Sequence, residues 1–127
     1  MGTRATTTIY NNKQPLVTIY RQMDGYWSGH GHELRNFLAG MTIVNGISGS
    51  TANKANGMGC LAAQLIARLK VGIGGIYITS LDDKEGYHYE ISDESGSVHL
   101  KASIYGELGY DGPISDFNPE AEPCGED

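Results

Sequence analysis

The sequence predicts an α+β domain: an antiparallel sheet carrying two helices on one face. Three observations lead there. Two β-branched runs separated by turn residues open the chain, two central segments repeat apolar residues at helical period, and three strand-like runs parted by Asp-, Ser- and Gly-rich turns follow. The order β-β-α-α-β-β-β builds one sheet from an N-terminal hairpin and a C-terminal three-strand meander.

Residues 3–10 are rich in Thr and end in Ile9-Tyr10, a strand composition. Asn11-Asn12-Lys13-Gln14 is turn chemistry, and residues 16–22 form the returning strand, with Pro15 tolerated at its start. Leu34, Phe37, Leu38 and Met41 stand at i, i+3, i+4 and i+7 and predict a helix that stops near Gly40. Residues 42–57 read as one long polar and glycine-rich connection, a length associated with functional or mobile loops. A second helix is expected over 58–70, with Met58, Leu61, Leu65, Ile66 and Leu69 on one face and Arg68 and Lys70 complementing its dipole. Strands are expected at 75–81, 87–92 and 98–105.

The 127 residues suit a single core, and their charge is uneven. Seven of the 15 acidic residues, and none of the nine Lys and Arg, lie from Glu107 onward. The expected division is therefore a ligand-binding domain over 1–106 and an acidic tail over 107–127 that drapes over the body or frays. A net charge of −6 disfavours duplex nucleic acid as a partner. No apolar run reaches the roughly 18–20 residues of a membrane span, and no signal-peptide pattern opens the chain, so a cytoplasmic protein is expected. Cys60 and Cys124 lack a C-x-x-C spacing, so neither a disulfide framework nor a zinc site is expected.

The candidate site centres on Tyr20–His32, where Arg21, Gln22, Asp24, Tyr26, Trp27, His30 and His32 are interleaved with Gly25, Gly29 and Gly31. Tyr20, Tyr26 and Trp27 would stack on a base, Arg4 and Arg21 would pair with phosphate, and Asp24, Gln22 and His30 would read base or ribose edges. The glycines would admit close backbone approach, and N–H groups at the helix start would favour an anion. The structural alternative has the aromatics capping the core and Asp24-Gly25 making a turn. His30-Gly31-His32 lacks a third close ligand, so contact with a ligand or a structural role is preferred over a metal. A second anion-binding turn is offered by Asn56, Gly57 and Gly59 at the start of the long helix, the alternative being a simple helix start capped by Asn56. Cys60 nearby would be a nucleophile only if His30 or His32 served as its base, and a buried structural cysteine is the commoner outcome. Four of the eight tyrosines (Tyr77, Tyr87, Tyr89 and Tyr105) fall on the meander, as a stacking surface or an oligomer interface.

Met1-Gly2-Thr3-Arg4, then Tyr20 to Tyr26 with Gly29-His30-Gly31, then Asn56 to Leu65, together resemble a small family of short bacterial, archaeal and phage proteins that brings no established reaction. In size and pocket chemistry, though not in a shared motif, the chain is similar to phage proteins that sequester the cyclic nucleotides of bacterial immune signalling. The analogy implies a non-catalytic, homo-oligomeric, anti-defence binder of a nucleotide-derived messenger of cyclic oligonucleotide or cyclic ADP-ribose type, needing no cofactor. Two other classes stand beside it: a small phosphodiesterase or glycosidic-bond hydrolase using His30, His32, Asp24 or Cys60, and an interaction module acting through the acidic tail.

Overall fold

The structure, a computed structural model, describes residues 2–123; Met1 and residues 124–127, Cys124 among them, lie outside the described residues. β1 (Ala5–Asn11) and β2 (Gln14–Arg21) form the expected hairpin, turned by Asn12 and Lys13 at positive φ (52° and 69°). That two-residue loop has the backbone hand that matches strand twist. A π-helical turn (Trp27–Gly31) runs directly into α1 (His32–Leu38). Two short strands, β3 (Thr42–Val44) and β4 (Lys54–Asn56), precede α2 (Gly57–Leu69). Then come β5 (Ile76–Thr79), β6 (Tyr87–Glu94), β7 (Ser97–Ile104), β8 (Glu107–Pro113) and a 3-10 turn over Ile114–Asp116.

The sheet has eight strands in the order β4-β3-β7-β6-β1-β2-β5, with β8 also paired to β7. It is mixed, which corrects the antiparallel expectation: β1 runs parallel to β6, and β3 parallel to β4. The cause is the route from β5 to β6. β5 takes the free edge of β2, so the chain reaches the other edge of β1 only by crossing beneath both hairpin strands. Residues 80–86 make that crossing on the outer face, where the Thr18 hydroxyl donates to the Leu81 carbonyl (3.0 Å) and the Glu85 N–H donates to Thr6 Oγ1 (3.0 Å). This explains why Thr6, Thr7 and Thr8 are all buried on consecutive positions of β1. Thr7 faces the helices and bonds His30, while Thr6 bonds His88 (2.7 Å) and Thr8 bonds Thr18 (2.8 Å) beneath the crossing, so each of these buried hydroxyls has a partner.

On the inner face Ala5, Ile9, Tyr89, Ile91, Leu100 and Ala102 meet Leu34 and Leu38 of α1 and Met58, Leu61, Ala62 and Leu65 of α2. Residues 42–57, expected as one loop, contribute the parallel β3–β4 ladder and the first residue of α2. The boundary expected after Gly106 is a tight turn instead: β8 pairs with β7 along its length, and Ile114 and Phe117 are buried in the same core as the helices. The acidic composition hid two apolar anchors spaced along an otherwise polar segment.

Candidate functional site

The Tyr20–His32 segment closes on the protein itself. Trp27 is 3% exposed, with its ring 4.9 Å from that of Phe117 and its benzo edge beneath Gly109, where a Cβ would stand 2.9 Å from Cζ2. It is a core residue and offers no face to a ligand. The three glycines are filled from inside: a Cβ at Gly25 would meet Ala5 at 2.6 Å, at Gly29 the Asp24 carbonyl at 2.3 Å, and at Gly31 the Phe117 ring at 3.1 Å. Their close approach is to neighbouring chain.

His30 is fully buried, edge-on to Tyr89 (5.1 Å). The Arg21 guanidinium, which only donates, lies 3.2 Å from His30 Nδ1, so the ring proton sits on Nε2 and is donated to Thr7 Oγ1 (2.7 Å). Burial, with the Arg21 charge beside it, pushes the His30 pKa down to about 3. The ring is neutral, engaged at both nitrogens and closed to solvent, so it reads no ligand edge and serves no base. Exposed His32 accepts from the Asn36 amide instead (3.0 Å). Tyr20 stands on the outer face against Tyr77 (5.9 Å), and Arg4 is exposed just before β1.

The anion expected at the helix start is supplied in cis. The Trp27 N–H, at the start of the π-helical turn, donates to Glu122 Oε1 (3.0 Å), and the Tyr87 hydroxyl donates to Glu122 Oε2. Burial and this carboxylate hold the Tyr87 phenol well above its usual range. Sequence reasoning missed Glu122 because it was one carboxylate among seven in a segment read as a tail.

What remains of the segment forms one wall of a cleft of about 530 Å³. Arg21, Gln22, Met23 and Asp24 meet Glu33 and Asn36 of α1, Arg68 and Leu69 from the last turn of α2, and Val71, Gly74, Gly75 and Ile76. Arg21 is held by Glu33 and by its Nε bond to the Met23 carbonyl (2.8 Å). Arg68 is exposed, with its guanidinium 5.7 Å from the Phe37 ring. Asp24 is exposed at φ 62°, and its carboxylate takes the Tyr26 hydroxyl, raising that phenol's pKa. Lys70 pins the glycine-rich rim by donating to the carbonyls of Gly74 (2.9 Å) and Ile76 (2.8 Å). Arg68 was read in the sequence only as complementing the helix dipole, and Asn36 only as a polar position on a helix.

The turn at Asn56, Gly57 and Gly59 lies elsewhere. Asn56 and Cys60 line a separate cavity of about 420 Å³ beneath residues 44–51, at the opposite end of the 13-residue α2 from Arg68. At 1.5 Å per residue the two ends are about 20 Å apart, so they do not share one small ligand. Asn56 does not cap the helix; its Oδ1 accepts the Gly46 N–H (2.7 Å) and fastens the loop. Cys60 is exposed rather than buried, its thiol donating to Gln64 (3.2 Å). Among the described residues, no group of three or more His, Cys, Asp and Glu converges as a metal would require, and no helix is long and apolar enough to cross a membrane.

Comparison with protein-family models, curated proteins and solved structures finds no match for this chain.

Proposed function

We propose that the protein binds a small phosphate-bearing, nucleotide-type molecule in the Arg21–Arg68 cleft and holds it without cleaving it. The exposed Arg68 guanidinium, at the mouth of a cleft whose other arginine is already neutralised by Glu33, carries this reading. Arg68 pairs with phosphate, Asp24 and Gln22 meet base or ribose edges, and Leu69, Val71 and Ile76 give the base an apolar wall. A volume of about 530 Å³ suits a ligand of that size. Retention without cleavage is supported by the position of the sequence-predicted acid–base groups: His30 is sealed in the core and Cys60 lines the other cavity, which leaves Asp24 as the one of them lining this cleft. Sequestering an immune messenger is one use of such a site; it rests on the analogy and requires no further group in the cleft.

Self-association belongs to the same proposal. β5 is an outer strand of the sheet, and Ile73 before it and Ile78 within it are 103% and 63% exposed, an apolar edge that a second copy would cover. Light scattering on Ile73→Lys against the parent tests it: a dimer reduced to monomer supports the reading, and a monomeric parent overturns it.

Binding is tested by calorimetric titration with adenosine nucleotides and cyclic dinucleotides, then denaturation and chromatography of the released ligand. Intact ligand recovered from a complex weakened at least tenfold in Arg68→Ala supports the proposal. Fragments, or affinity unchanged in the variant, refute it.

A further inference from the structure

The outer face of the sheet carries a second concavity, of about 640 Å³, whose lining includes Ser92 on β6, His99 and Lys101 on β7 and Asp111 on β8. His99 Nε2 stands 2.5 Å from Asp111 Oδ1, with the two side chains 21% and 43% exposed. An ionised carboxylate only accepts, so Nε2 carries a proton, and in the neutral ring Nδ1 has the lone pair. Ser92 is directly opposite His99 in the antiparallel β6–β7 ladder. Such pairs share a face with Cβ atoms about 4.5–5.5 Å apart, which brings Ser92 Oγ within side-chain reach of the His99 ring. Lys101 follows His99 by two residues on the same face and is paired in register with Asp111.

We propose that Ser92, His99 and Asp111 are a nucleophile, a general base and its positioning residue for hydrolysis of small carboxylic esters. This site is separate from the Arg21–Arg68 cleft and does not depend on it. His99 Nδ1 takes the Ser92 proton as Oγ bonds to the ester carbonyl carbon, and the displaced π pair moves to the carbonyl oxygen, where the Lys101 ammonium offsets the charge. Collapse of that adduct breaks the bond to the leaving oxygen, which departs with the proton from His99. A water molecule then gives a proton to His99 and attacks the acyl carbon, releasing the carboxylic acid and restoring Ser92. Glu90, Asp93 and Glu94 rim the concavity and set the substrate class as neutral or cationic esters.

The test uses the full chain with a fluorophosphonate probe and with p-nitrophenyl acetate. Intact-mass and peptide mapping should show one phosphonyl adduct on Ser92, absent in Ser92→Ala. Ester turnover should fall at least tenfold in Ser92→Ala and His99→Ala, while Asp111→Asn lowers kcat with KM unchanged. Ser92→Cys guards against a folding artefact, because it should regain acyl transfer and become alkylated by iodoacetamide faster than Cys60. No adduct on Ser92, or p-nitrophenyl acetate turnover in Ser92→Ala equal to the parent's, reduces His99–Asp111 to a cross-strand ion pair and overturns the proposal.

Discussion

Acid should weaken this fold through His30. His30 is fully buried and neutral with a pKa near 3, whereas in the unfolded chain it titrates at its ordinary 6.5. The unfolded state therefore binds more protons between those values, and stability falls as pH falls. The His30 contribution is fully present above about pH 6.5 and is lost progressively toward pH 3. At pH 5 the unfolded ring is almost wholly protonated and the folded ring is not, so moving from pH 7 to pH 5 costs about 2 kcal/mol from this residue alone. His30→Gln keeps a donor for Thr7 Oγ1 but removes the titration. Urea unfolding followed by the fluorescence of Trp27, the single tryptophan and itself in the core, reads both proteins at both pH values. The parent should lose about 2 kcal/mol more than the variant between pH 7 and pH 5. Equal losses would refute the sealed, neutral histidine and with it the argument that His30 is unavailable to a ligand.

Four further outcomes follow from the same packing. Trp27→Ala should destabilise the fold by about 3–5 kcal/mol, read as a lowered thermal midpoint, because it empties the space between Phe117 and Gly109. Gly29→Ala should yield little folded protein, since its Cβ would stand 2.3 Å from the Asp24 carbonyl oxygen, and near-normal yield would mean the turn is looser than described. Glu122→Gln should cost about 1–3 kcal/mol in urea unfolding, because a charge-assisted bond to the Trp27 N–H is weakened, while deletion of residues 107–127 should abolish cooperative unfolding.

The elements were legible in the sequence where period and turn chemistry agree. The hairpin turned at Asn12-Lys13 and α2 with its Leu61 and Leu65 stripe fall within two residues of their expected bounds. The parallel β1–β6 pairing was not legible, since strand direction depends on the crossing by residues 80–86, which composition marks only as a turn. β3 and β4 are three residues each, too short for an alternation to show. At the site, Arg21, Gln22 and Asp24 do line one cleft, as a charged loop after a strand suggests. The misreading concerned Trp27, His30 and the glycines. Aromatics beside glycines present the same pattern whether the gap admits a ligand or the protein's own Phe117, and the residue that decides lies 90 positions away along the chain.

On the proposed reading, the Arg21–Arg68 cleft at one end of α2 holds a phosphate-bearing ligand and the Asn56 turn at the other end does not. Its most direct test is calorimetric titration of a cyclic dinucleotide and adenosine nucleotides into the parent, Arg68→Ala and Asn56→Ala proteins at equal folded fraction. The account predicts saturable binding by the parent, weakened at least tenfold by Arg68→Ala and unchanged by Asn56→Ala. Binding lost in Asn56→Ala and kept in Arg68→Ala, or no heat from any of these ligands, would contradict it.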